Sequence, residues 1–315
     1  MAANLYTEQE KNVSKTWFLM ISFFVLIMFI GWSFSYIYND VSILYFAVIF
    51  SLVMNFISYF KSDKIALSIS KAKPADEIVH KELYRLLENL CITAGLKKPR
   101  LYIIEDDSPN AFATGRNQDN AAIAVTTGLL KMLDRSELEG VLAHELAHIG
   151  NRDILLQTIV VVLVGIVTLL SDFFLRSRFR NSSDRDNGQL GVILFIVGII
   201  MSILSPFVAT AIQLAISRKR EFLADATGSL ITRYPDGLAS ALEKISSYSV
   251  GIKSQNHATA HLFIATPLGG DANHNGIPDY KEGKKMSFLN KLFSTHPPVI
   301  ERVAALRGLK VEQEI

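Results

Sequence analysis

Charged residues along this chain are interrupted by apolar runs whose lengths match a lipid bilayer. From Thr16 to Asn39 there is no charged residue, and from Val41 to Phe60 there is again none. Each run, wound as a helix, can cross a hydrocarbon core of about 30 Å. Only Asp40 separates them, so Asn39 and Asp40 predict the turn of a tight transmembrane hairpin. The first run is too long for a signal peptide, and no small-residue cleavage site follows it before the second. Lys11 and Lys15 precede the hairpin and Lys61, Lys64, Lys71 and Lys73 follow it. The positive-inside rule then places both ends in the cytoplasm.

Beyond the hairpin the pattern changes to that of a soluble αβ segment. Ala75 to Ala94 repeats apolar residues at helical spacing and stops at Gly95, ahead of Pro99. Leu101 to Ile104 and Ala121 to Thr127 predict short strands. Ser108 to Gly115 (SPNAFATG) begins as a turn and can continue as a strand. Asp134 and Glu137 fit an N-cap and capping box, opening a helix through VLAHELAHIGNRD.

Two further uncharged runs follow, Ile154 to Ser171 and Asn187 to Ser217. The loop between them carries Arg176, Arg178, Arg180 and Arg185, so a simple hairpin crossing conflicts with its positive charge. These runs either span the bilayer or lie partly buried against the protein. The second run would be about 46 Å long as a helix, and Pro206 can kink it. Helices are expected again across SRKREFLADATG, from about Tyr234 to Tyr248, and in FSTHPPVIERVAALRGL at the end. The organisation is thus 1–60 for tail and hairpin, 61–153 and 218–315 for two parts of one catalytic domain, and 154–217 for the hydrophobic helices between them.

Composition agrees. Half of the 315 residues are hydrophobic and the mean hydropathy is +0.27, apolar for a soluble domain. A net charge of +2 gives no footprint for nucleic acid. Cys91 is the sole cysteine, which excludes an intramolecular disulfide and a cysteine-rich zinc site. It falls on the apolar stripe Leu83, Leu86, Leu87 and Leu90, as a buried thiol would.

The chemistry centres on His144, Glu145 and His148 in HELAH. Residues four apart share a helix face, so both imidazoles point to one spot. This is the H-E-x-x-H pattern, in which two histidines bind Zn²⁺ and the glutamate acts on water. A catalytic zinc needs a third protein ligand. Glu221 in REFLAD suits it, and Asp225, one turn on, suits a carboxylate that holds a liganding imidazole by its other N–H. His148 lies six residues before one apolar run and Glu221 four after the other. If all three hold one ion, the number of crossings between them is even and the ion sits near the cytoplasmic membrane surface. The helix carrying His148 is expected to run straight into the membrane-associated part.

HELAH, two hydrophobic segments, SRKREFLAD and STHPP together resemble the HtpX family of membrane zinc metalloproteases, relatives of the CAAX prenyl protease. The resemblance covers nearly the whole chain. It implies a mainly α integral membrane protein, with the hairpin, an α-rich zincin-like catalytic domain with a small β-sheet, and two further hydrophobic helices. It also implies a multi-pass protein of the inner (plasma) membrane, its site facing the cytosol, that cuts misfolded or damaged membrane proteins. By motif, His144, His148 and Glu221 match the zinc ligands, Glu145 the catalytic glutamate, and Asp225 the last residue of E-x-x-x-D.

His296 in STHPP is a candidate for stabilising the oxyanion, or else a loop histidine before the last helix. Asn110 is a candidate for aligning substrate on an edge strand, or else a turn residue after Pro109. His257 and His261 are also four apart, without a glutamate between them, and fit a structural or groove role. Asp271 to Glu282 (DANHNGIPDYKE) matches the EF-hand loop, with Asp271, Asn273, Asn275, the Ile277 carbonyl, Asp279 and Glu282 as oxygens for Ca²⁺ and Gly276 at the turn. Two neutral early ligands, Pro278 and the lack of a strong leading helix weigh against it, leaving an ordered Asn/Asp turn as the other reading. The competing class for the whole chain is a catalytically idle membrane scaffold or chaperone that retains zinc. A transporter lacks the intramembrane charges it would need.

Overall fold

A computed structural model describes residues 5–163, 218–248, 264 and 297–308. The hairpin forms from α1 (Leu5–Tyr38) and α2 (Ser42–Ile69). Asn39 turns the chain with φ 51°, and Asp40 Oδ1 accepts the Ser42 N–H at 2.9 Å. The two helices cross closely at Gly31, where a Cβ would overlap Ala47. Small residues at such a crossing let backbones approach where lipid offers no competing hydrophobic drive. Trp17, Ile21, Val25, Phe29 and Trp32 point outward from α1, and Tyr45, Ile49, Leu52 and Phe56 from α2. Both helices are long and apolar enough to cross a membrane, over the 27 residues Glu10–Tyr36 of α1 and all 28 residues of α2.

Helix α2 is about 42 Å long, so it outruns the hydrocarbon core. Its last turns carry Ala66 and Leu67 onto one face of a mixed four-stranded sheet, beside Phe112, Ala122 and Ala124. The strands are β1 (Lys73–Pro74), β2 (Arg100–Ile104), β3 (Ala111–Thr114) and β4 (Ala122–Thr126), in the order β1-β2-β4-β3. β2 and β4 run parallel, with Leu101 opposite Ile123; the other pairs are antiparallel. The opposite face presents Ala111, Ala113, Ile123 and Val125 to the main core. A sheet covered on both faces has no polar side, which is why β3 and β4 are buried at every position.

The main core packs α3 (Lys81–Ala94), α5 (Arg135–Gly150) and α8 (Pro235–Ser246) against that face. α3 starts later than the periodicity predicts. Asp76 Oδ1 accepts the N–H groups of Ile78 and Val79, holding residues 76–80 in a turn before the helix opens. Gly95, with φ 65°, ends it. The short α4 (Thr127–Met132) leads into α5, whose start carries the Asp134/Glu137 capping box. Burial raises the Cys91 thiol to about 11.

The exit from α5 differs from expectation. The helix does not run straight on: after Asn151, with Arg152 at φ 59°, the chain turns through 87° into α6 (Asp153–Leu163). α6 lays Leu155, Ile159 and Leu163 against Met20, Phe23 and Ile27 of α1 and Ala47 of α2. The segment that begins the third apolar run is therefore packed on the hairpin from its first turn. The remaining described helices are α7 (Arg218–Thr232) and α9 (Val299–Leu306).

Candidate active site

Helix α5 is buried along HELAH because it is surrounded by α3, α7, α8 and β3. His144, Glu145 and His148 are 1%, 3% and 4% exposed. The i, i+4 spacing brings the Nε2 atoms of His144 and His148 to 3.1 Å from one another. Glu221 comes from α7, with its carboxylate oxygens 3.8 Å from His144 Nε2 and 3.6 Å from His148 Nε2. The approach of α7 to α5 depends on Gly228, whose position lies so close that an added Cβ would be 3.0 Å from the His144 backbone nitrogen. Donor atoms of His144, His148 and Glu221 all lie within 4.8 Å of one another and could hold one metal ion.

Each imidazole is held from behind. Asp225 Oδ1 sits 2.9 Å from His144 Nδ1, and Asp153 Oδ2 sits 3.0 Å from His148 Nδ1. An Nδ1–H given to a carboxylate leaves the Nε2 lone pair facing the third donor, the tautomer a metal requires. Arg302 of α9 is fully buried and pairs with Asp225 through Nε at 2.8 Å and Nη2 at 2.6 Å. Its Nη1 donates to the Ile264 carbonyl at 3.3 Å and lies 3.6 Å from Glu221.

The electrostatics match a cation between the rings. Burial lowers His144 to about 4, aided by His148 and Arg302 and opposed by Asp225. Burial also opposes a charge on His148, yet its bond to Asp153 and the charges of Glu221, Asp153 and Glu145 lift it to about 9. The carboxylates thus favour one positive charge at the imidazole pair, while burial, the repulsion between the rings and Arg302 disfavour a second. Two imidazole nitrogens and one carboxylate oxygen are the donor set of a catalytic zinc with an open position, and the residues present fit it.

Glu145 points from the same helix to the sheet, where its carboxylate accepts the N–H of Ala113. Burial, reinforced by Glu221, pushes it up to about 7. A carboxyl near neutrality beside a metal position is suited to exchanging protons with water.

A profile of Peptidase family M48 matches residues 77–310. The chain belongs to peptidase family M48. It is 43% identical over 312 residues to a Protease HtpX homolog of Caldanaerobacter subterraneus subsp. tengcongensis, covering 98% of both chains. It is 40% identical over 312 residues to a Protease HtpX homolog of Streptococcus gordonii, covering 97% of this chain and 100% of that one. Among solved structures it is similar to Ste24p of S. mikatae, at 18% identity and a TM-score of 0.49, covering 96% of this chain and 67% of that one. This M48 member is a membrane-bound metalloprotease. An idle scaffold is not the favoured reading.

The structure brings His144, Glu145, His148, Glu221 and Asp225 into one cluster. Asn110 stands at the approach to β3, 2% exposed, with its Oδ1 accepting the Ala111 N–H at 3.2 Å. β3 is the sheet edge, and on its outer side the Ala111 carbonyl accepts from Ile264 and Ala113 donates to Glu145, while Gly115, just past the strand, donates to Thr158. His296, His257, His261 and the 271–282 loop lie outside the described residues. Sequence reasoning missed Asp153 and Arg302. Arg302 had a signal, since Val299, Arg302, Val303 and Leu306 form one helical stripe in which a lone arginine interrupts an apolar face. Asp153 had none, because it lies past the helix end.

Proposed function

We propose that the chain is a zinc endopeptidase whose ligands are His144, His148 and Glu221. The observation that carries this is the convergence of two imidazoles and one carboxylate, each imidazole backed by a second carboxylate. Bound there, zinc supplies a Lewis acid at the scissile carbonyl and makes water acidic near neutral pH. Glu145 takes the proton of the attacking water and passes it to the leaving amine. Asp225 and Asp153 keep the imidazoles oriented throughout, and Arg302 holds Asp225. Extended substrate pairs at β3, in the place Ile264 takes beside Ala111, with Asn110 aligning it. His296 helps stabilise the oxyanion.

The substrates are membrane or unfolded polypeptides, damaged ones in particular, and the setting is a multi-pass position in the plasma membrane. Lys11, Lys15, Lys61 and Lys64 support a cytoplasmic site. The uncharged runs within residues 154–217 lie in sequence between the two parts of the catalytic domain. Calcium at Asp271–Glu282 is supported by the loop pattern alone; a peptide spanning 266–286 that gives no terbium luminescence at millimolar ion removes it.

The test is Glu145→Gln in the full-length protein, assayed on casein and for self-cleavage. Retained zinc with cleavage lost supports the assignment. Equal cleavage by both proteins, or none by either, returns the scaffold reading.

A further inference from the structure

One side chain of the membrane hairpin reaches the metal-holding cluster. Asn12, in the early turns of α1, is 1% exposed. Its Nδ2 donates to Asp153 Oδ1 at 2.5 Å and lies 3.5 Å from the Asn151 carbonyl. Its Oδ1 accepts from Arg220 Nη1 at 3.1 Å. The other oxygen of Asp153 is the one at His148 Nδ1. Arg220 is the residue before Glu221 and is itself 3% exposed. A single amide therefore joins the segment that orients His148 to the helix that delivers Glu221, 141 and 208 positions away in sequence.

The chemistry of this position is narrow. It must donate a hydrogen bond to a buried carboxylate and accept one from a buried guanidinium. Among side chains of this length only the asparagine amide does both. An apolar isostere would strip a partner from each of two buried charges, and a carboxylate would face Asp153 with like charge.

We propose that Asn12 is a positioning residue of the metal centre: it holds Asp153, and through it His148, and registers α7 through Arg220, so that metal retention depends on the first membrane helix. This rests on the zinc reading above. Asn12 touches no metal donor itself, and its effect passes through Asp153 and Arg220.

The test is the rate of zinc release to a chelating indicator from the full-length protein in detergent, with thermal stability measured in parallel. Asn12→Leu and Asn12→Asp should each speed release by about 10-fold or more, the range for losing an outer partner of a liganding histidine. The exchanged pair Asn12→Asp with Asp153→Asn should recover most of the retention lost in Asn12→Asp alone. There the carboxylate at 12 accepts from both the amide at 153 and Arg220, and the amide oxygen at 153 still accepts from His148. Phe23→Ala, which removes buried packing of α1 on α6 without touching the polar chain, should lower thermal stability and leave zinc release within about 2-fold, measured below the transition. If zinc release tracks thermal stability across all these variants, or the exchanged pair shows no recovery, Asn12 is a packing residue and the proposal fails. If His148→Ala retains zinc as wild type does, the zinc reading itself has failed, and the proposal with it.

Discussion

Arg302 and Asp225 form a two-point ion pair, at 2.8 and 2.6 Å, behind the His144 ring. The pair joins α9, near the end of the chain, to the same helix that supplies Glu221. Asp225 thus serves two partners, one oxygen bridging to His144 and both engaged by the guanidinium. Burial favours its neutral form, but Arg302 and the His144 bond outweigh this and hold it at about 2.

Replacing Arg302 with Met should cost about 3–5 kcal/mol, since it leaves a buried carboxylate without its counter-charge. Arg302→Lys should recover part of this, as one contact in place of a fork. Thermal unfolding in detergent, with zinc content measured alongside, checks the ordering. A Met variant as stable and as zinc-replete as wild type would show that the pair does not support the site.

Acid should undo the same pair. Asp225 is lowered in the folded protein from an ordinary value of 3.8 to about 2. Its contribution is fully present above pH 3.8 and is lost as pH falls toward 2, amounting to about 2 kcal/mol. Unfolding followed between pH 5 and 2 should show this loss reduced in Asp225→Asn.

Gly228→Ala should separate α7 from α5. The new Cβ would lie 3.0 Å from the His144 nitrogen and 3.2 Å from the Ala143 carbonyl carbon, both rigid backbone. A cost of about 1–3 kcal/mol is expected, with zinc affinity and cleavage falling together because Glu221 moves with α7. Zinc titration and a casein assay on the same preparation test it; undisturbed affinity would mean the helices accommodate the methyl.

Cys91 should be silent in the native protein. Its thiol is 3% exposed and raised to about 11, so almost no thiolate is present at pH 8. A thiol reagent should label it slowly when folded and at once in denaturant. Fast native labelling would place α3's apolar face in solvent.

Chelation by 1,10-phenanthroline should abolish cleavage, and added zinc should restore it. Removing the ion would take away what joins His144 and His148 of α5 to Glu221 of α7, leaving in its place only a proton on His148, which the bond to Asp153 and the nearby carboxylates hold to about 9. The stripped protein should therefore also unfold at a lower temperature.

Much of this was legible without coordinates. Residues with a local period declared themselves: the uncharged runs of α1 and α2, the leucine stripe of α3, the capping box at Asp134, and the paired spacings of His144 with His148 and Glu221 with Asp225. Periodicity is a property of neighbours, and these elements rest on neighbours. The start of α3 is not legible in this way, because an Asx turn at Asp76 has no period at all.

What the sequence determined by itself was the membrane hairpin, the helix bearing two imidazoles on one face, and the carboxylates suited to complete the set. The tertiary structure alone decided which distant groups complete it. Asp153 reaches His148 because the chain bends 87° at Asn151 and Arg152. Arg302 and Asn12 arrive from opposite ends of the chain, 158 and 141 positions from His144 and Asp153. Buried charges must find partners wherever packing puts them, and that demand leaves no spacing in the sequence to read.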